Sequence, residues 1–142
     1  MDAPAEVPEG FARHSRRSAV TDPWEPIYSR LAEGALQIGL RLRPEHCNSR
    51  GLVHGAVIAA LADNAMGLTY VHALRAANGE AAAAGAVTVT LTVDYAAPAP
   101  LGAWLQVSPR LIRAGRTLGL VDALVTADAD TVARASASFR AV

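Results

Sequence analysis

Asn48-Ser49-Arg50-Gly51-Leu52-Val53-His54-Gly55-Ala56 runs on into Val57-Ile58-Ala59-Ala60-Leu61-Ala62-Asp63-Asn64, and this stretch decides the fold. From Gly55 to Ala76 the chain is apolar, alanine-rich and free of proline, with Leu61, Met66, Leu68, Val71 and Leu74 spread through it. Residues of this type favour helix, so the pattern predicts one helix over residues 55–76, stopped by Asn78-Gly79. Apolar side chains surround nearly its whole circumference, which places it inside a core. A membrane span of about 20 residues is the rival reading. Asp63 and Asn64 near the middle argue against it, because a carboxylate in hydrocarbon costs a few kcal/mol.

Strand patterns flank this helix. Residues 35–43 alternate, with Leu36, Ile38, Leu40 and Leu42 on one face, and Pro44 stops them. Residues 45–53 read as a loop. After the helix, residues 86–95 set Val87, Val89, Leu91 and Val93 against Thr88, Thr90, Thr92 and Asp94, the cleanest period of two in the chain. Pro98, Pro100 and Gly102 turn it into a strand over 103–113, where Pro109 marks a bulge or an edge. Strands over 118–126 and 132–139 follow, the last lined by Ala133, Ala135 and Ala137. Upstream, Trp24, Ile27, Tyr28 and Leu31 have the spacing of a short amphipathic helix over 24–33, ended by Gly34. Residues 1–22 show no period and are expected to be a flexible tail, leaving a single domain over 23–142. One long central helix among strands at turn-linked spacing is an α+β fold, an antiparallel sheet wrapped around that helix.

The composition fits one soluble domain. Of 142 residues, 51% are hydrophobic and 18% charged, enough apolar material for a core without staples. Thirteen basic residues, all arginine, balance thirteen acidic ones. A net charge of zero argues against a chain-wide footprint for nucleic acid or an anionic membrane. The one cysteine, Cys47, forms no internal disulfide, and no apolar run follows Arg16-Arg17, so a cytoplasmic protein is expected. Neither GxxxxGK[ST] nor GxGxxG occurs.

The chemistry concentrates at the junction of loop and helix. Gly55 opens the helix, where a backbone N–H is unpaired and sits at the positive end of the helix dipole. Such a donor suits a developing oxyanion, and glycine lets a carbonyl come close. Asp63 reads as a buried carboxylate that needs a partner or a task. Asn48 offers an amide to hold a water or a carboxylate, or else a loop cap. His54 can bond a substrate or brace the loop. Gly55 and Asp63 are eight residues, and so about 12 Å, apart along one helix. A single carbonyl is not easily met by both. If both act on one atom they come from different chains, as two antiparallel helices at a two-fold axis would allow. Metal has little support: His54 and His72 are far apart on the helix, and the adjacent His46 and Cys47 lack ligand spacing. Cys47 as a nucleophile would need a paired histidine and a lowered pKa, and Ser49 lies in no nucleophile elbow.

Asn48, Gly51, His54, Gly55 and Asp63 resemble the motif of the hotdog-fold thioesterases of the phenylacetate-pathway (PaaI-like) type. The similarity continues through Val87-Thr88-Val89 to Tyr95, Pro98 and Leu101-Gly102, through Arg113-Ala114-Gly115-Arg116, and into Val132-Ala133-Arg134-Ala135, covering residues 24–142. The resemblance implies a hotdog fold and an acyl-CoA thioester hydrolase. Asp63 would act as nucleophile or general base, the Gly55 N–H would hold the thioester oxygen, and Asn48 and His54 would orient the parts. Thr88 would place the water or Asp63, and Arg113 and Arg116 would contact CoA phosphates. It implies a homodimer with shared active sites, often paired into a homotetramer, and no cofactor beyond the CoA of the substrate. One position departs: Ala56 stands where the motif has a second glycine, and its methyl narrows the approach to the carbonyl. A non-catalytic acyl-CoA binder and an acyl-thioester hydratase or dehydratase are the alternatives on the same fold. The acyl pocket is expected among Leu61, Met66, Tyr70 and the short upstream helix.

Overall fold

The computed structural model describes residues 6–142. Seven strands form one antiparallel sheet: β1 (Ala12–Arg13), β2 (Tyr28–Ala32), β3 (Ala35–Arg41), β4 (Ala86–Tyr95), β5 (Trp104–Ala114), β6 (Gly119–Ala127) and β7 (Asp130–Ala141). Their order across the sheet is β1-β2-β3-β5-β6-β7-β4. The helix α1 (Gly55–Asn78) packs on β3, β5, β6, β7 and β4, the arrangement of a hotdog fold. By length and composition α1 could cross a membrane. Here its Leu61, Ala62, Ala65, Met66, Tyr70 and Leu74 are buried in the core beside the sheet. Gly79, at φ 94°, ends it with an N–H bond to the Arg75 carbonyl.

The stretch over 24–33 is not a helix. A single 3-10 turn covers Asp22–Trp24, and β2 then pairs with β3 in the register Ala32↔Ala35 to Tyr28↔Gly39. Glu33 (φ 52°) and Gly34 (φ 80°) are both left-handed, as a two-residue hairpin turn demands. Gly34 is therefore a hairpin glycine rather than a helix stop. The spacing of Trp24, Ile27, Tyr28 and Leu31 satisfies a helical period, but strand pairing supplies the backbone bonds, and Pro26 would interrupt a helix.

Residues 1–5, part of the expected tail, lie outside the described residues. The rest of that segment is attached to the sheet. Ala12 and Arg13 pair with Ser29 and Tyr28. Phe11 meets the Trp104 ring edge-on at 5.3 Å, and Arg30 lies over the Phe11 ring.

β4 departs from a half-buried strand. It is an edge strand, paired only with β7, and its ladder shifts register between Thr88 and Thr90. Val87 and Val89 are 48% and 60% exposed. Val93 alone of the four apolar residues packs against the core. Pro109 lies inside β5, beyond the point where the β3 ladder has ended at Ile38–Val107, and the bulge comes later, between Leu111 and Arg113.

Candidate functional site

The loop before α1 is built on its own polar groups. Asn48 Oδ1 accepts from the N–H groups of Arg50 (2.9 Å) and Leu52 (3.3 Å). Gly51 takes the left-handed φ of 74° that closes this turn. His54 caps the helix: its Nδ1 accepts the Ala56 N–H at 3.1 Å. Both residues thus fix the backbone that presents Gly55. The Gly55 carbonyl accepts from the Tyr95 hydroxyl at 2.6 Å. A Cβ on Gly55 would lie 3.1–3.3 Å from atoms of the Tyr95 phenol, so the neighbour that a side chain here would crowd is this ring.

Eight residues along the helix, Asp63 Oδ1 accepts from Thr88 Oγ1 at 2.7 Å. Asp63 is partly exposed in the single chain rather than buried, because β4 beside it is an uncovered edge. It faces a cavity of about 340 Å³ together with Thr88, Asn64, Leu61, Leu68 and Phe139. Gly55, Asn48 and His54 do not line this cavity. α1 and β4 run in opposite directions, with Gly55 against Tyr95 at one point and Asp63 against Thr88 at another. Within one chain the two ends stay apart, as the helical rise requires.

The outer wall of the cavity is a surprise relative to the sequence. Residues 14–21 strap across it, contributing His14, Arg16, Arg17, Ser18, Val20 and Thr21. The strap is held by its own bonds: His14 N–H to the Ile27 carbonyl (2.9 Å), His14 Nδ1 with Ser29 Oγ (2.9 Å) and Arg17 to Asp22 (2.9 Å). Burial lowers the pKa of His14. No periodicity marks these residues, so only their place in the fold identifies them.

His46 ties the 3-10 turn that follows the strap to the helix-opening loop. It is almost fully buried; its Nδ1 accepts the Arg43 N–H (2.9 Å), and its Nε2 donates to the Trp24 carbonyl (2.9 Å). Its own carbonyl accepts the His54 N–H at 2.8 Å. Burial, partly opposed by the bond to Trp24, lowers its pKa, and both ring nitrogens are spent on the neutral form. Burial pushes the Cys47 thiol up, which disfavours a thiolate. Among the described residues no three His, Cys, Asp or Glu side chains converge.

Of the residues expected in the acyl pocket, Leu61 lines the cavity, whereas Met66 and Tyr70 are wholly buried core. Tyr70 stacks on Phe139 at 5.9 Å, and its hydroxyl donates to the Gly115 carbonyl. Gly119 passes so close to its ring that a Cβ there would sit 2.3 Å away. Arg113 and Arg116 are exposed at the β5–β6 turn and do not line the cavity.

The pattern of the Thioesterase superfamily matches residues 50–134. The Pseudomonas aeruginosa protein PA0474, named provisionally as an esterase, is 34% identical over 134 residues, covering 94% of this chain and 96% of its own. Human acyl-coenzyme A thioesterase 13 is 28% identical over 95 residues, covering 67% of this chain and 63% of its own. The Bacillus halodurans protein BH2602, whose crystal structure holds CoA, superimposes with a TM-score of 0.65 at 28% identity, over 75% of this chain and 66% of that one. With a helix carboxylate at a cavity, the hotdog architecture and these relatives together, the chain belongs to the Thioesterase superfamily and is a thioester hydrolase.

Proposed function

We propose that the protein hydrolyses acyl-CoA thioesters at sites shared by two copies of the chain. The acyl-CoA assignment is supported by the relative named for that activity and by the one that holds CoA. The observation that carries the shared site is the pairing of Asp63 with Thr88 and of Gly55 with Tyr95 along one free edge strand. If two β4 strands pair antiparallel about a two-fold axis at Thr92, with the bulge between Thr88 and Thr90 in each, Thr88 stands opposite the other copy's Tyr95. That pairing brings the Asp63 of one copy toward the Gly55 of the other. The exposed Val87, Val89 and Leu91 would be covered in the same step, which supplies a driving force.

In this site the Gly55 N–H of one copy receives the thioester oxygen as it becomes an oxyanion. Thr88 occupies Oδ1 of Asp63 and leaves Oδ2 for the reaction. Asp63 then takes a proton from water as the water oxygen attacks the carbonyl carbon, or attacks that carbon itself and is freed by water in a second step. Collapse of the tetrahedral intermediate breaks the C–S bond and releases CoA as its thiolate. Asn48 and His54 act through the loop and helix cap that aim the Gly55 N–H. Arg113 and Arg116, free in the β5–β6 turn, would meet CoA phosphates, for which the guanidinium is well shaped. The reaction as written needs no cofactor beyond the CoA of the substrate, and a cytoplasmic location suits such a substrate. Two dimers would associate through the outer face of the sheet, where Arg134–Asp94 (2.9 Å) and Arg110–Asp122 (3.7 Å) flank the exposed Leu124.

A panel of acyl-CoA thioesters assayed for thiol release tests the activity. Asp63→Asn is expected to lower kcat by about 10²–10⁴ while far-UV circular dichroism stays unchanged. Full activity in Asp63→Asn rejects its role, and binding of acyl-CoA without thiol release rejects hydrolysis.

A further inference from the structure

The cavity at Asp63 does not end at its own volume. A second cavity of about 260 Å³ lies further along α1, and Arg16, Leu68 and Val71 line both. The floor of the first runs Asp63, Gly67, Val71, positions four apart on one helical face and together about 12 Å long. Gly67 keeps that floor low, since a Cβ there would already stand 3.3 Å from the Phe139 ring. Beyond the shared residues the walls are Leu31, Leu36 and Ala76, with His72, Arg75 and Glu80 also lining the chamber. Leu31 is 55% exposed on a strand otherwise partly covered, and this chamber accounts for it. Arg16 stands over the junction on the strap and, among the described residues, forms no ion pair.

We propose that the two cavities are one acyl site in series, and that acyl length is read where Arg16 crosses above Leu68 and Val71. The acyl group that fits is an unbranched aliphatic chain that passes beneath Arg16 into the second chamber. A flexible chain can follow the narrow junction, whereas a rigid ring stops in the first cavity. The Arg16 guanidinium stays toward water while its stem covers the chain, as amphipathic side chains do. This inference rests on the hydrolase reading above.

The test compares kcat/KM for butanoyl-, octanoyl-, dodecanoyl- and phenylacetyl-CoA in the wild-type enzyme, Leu68→Trp and Arg16→Trp. Each added CH₂ buried in the site is worth about fourfold, so the wild-type values are expected to climb from butanoyl to dodecanoyl. Either tryptophan fills the junction and is expected to cut the dodecanoyl-to-butanoyl ratio at least tenfold. Arg16 is on the exposed strap, so its substitution bears on the junction even if Leu68→Trp folds poorly. Calorimetric binding of the matching non-hydrolysable thioethers reads the same ratio in a variant that turns over slowly. An active enzyme that prefers butanoyl- or phenylacetyl-CoA, or folded variants with the wild-type ratio, overturns the two-chamber site alone. A wild-type enzyme that releases thiol from no acyl-CoA overturns it together with the hydrolase reading.

Discussion

Thr88 Oγ1 donates to Asp63 Oδ1 across 2.7 Å, joining the open edge of the sheet to the middle of its central helix. The bond is made to a charged acceptor and fixes which carboxylate oxygen remains free. Thr88→Ala is expected to lower kcat about tenfold, the scale of one hydrogen bond to a charged group. The melting temperature should barely move, because Thr88 is exposed. Thr88→Ser keeps the hydroxyl and should recover most of the rate. Steady-state kinetics with thermal melts on both variants check this.

Gly55 and Tyr95 should behave as a coupled pair. A methyl on Gly55 arrives 3.1–3.3 Å from the Tyr95 phenol and crowds the ring that bonds the Gly55 carbonyl. In Tyr95→Ala the space is empty, so the same substitution meets no ring. A double-mutant cycle in urea is expected to give a coupling of about 1 kcal/mol, and strict additivity would show that the contact is not made.

The free edge of β4 carries its own consequence. Leu91→Arg brings two like charges close together on either side of the proposed two-fold axis. The variant is expected to sediment as a monomer and to lose thiol release about 100-fold or more, with its secondary structure intact. An active dimer in Leu91→Arg would move the interface elsewhere.

His46 sets a pH dependence of stability. Burial lowers its folded pKa below the 6.5 of a free histidine. Below pH 6.5 the unfolded chain therefore takes up a proton that the folded chain refuses. The stability is whole above that pH, is lost as pH falls toward the folded value and then levels off. Its slope cannot exceed about 1.4 kcal/mol per pH unit for one proton. His46→Gln removes this contribution, so its stability curve should be flatter between pH 7 and 5. His14, also lowered by burial, continues to contribute in both proteins. Chemical denaturation across that range measures the difference.

Local patterns carried much of the fold. The helix was legible over residues 55–76 from its apolar, alanine-rich, proline-free run, and the strand at 86–95 from its period of two. Residues 24–33 misled, since four apolar side chains fit a helical spacing while the Glu33-Gly34 turn, two left-handed residues in a row, makes the chain double back as a hairpin. The spacing of Gly55 and Asp63 was readable because one helix fixes their separation. Tyr95 was not readable as the partner of Gly55, because nothing local relates residues forty positions apart in the chain. The strap over 14–21 had no signal at all.

Sequence alone settled the central helix, the strand count after it, and the wide separation of Gly55 and Asp63 along one helix. Those conclusions depend on backbone periods and rise, which short segments set for themselves. Tertiary structure decided that β2 is a strand, that Asp63 opens onto a cavity, and that Arg16 and Leu31 line the chambers beside it. Such facts depend on which distant segment supplies hydrogen bonds and which surface is left uncovered, and those are fixed only when the whole chain packs.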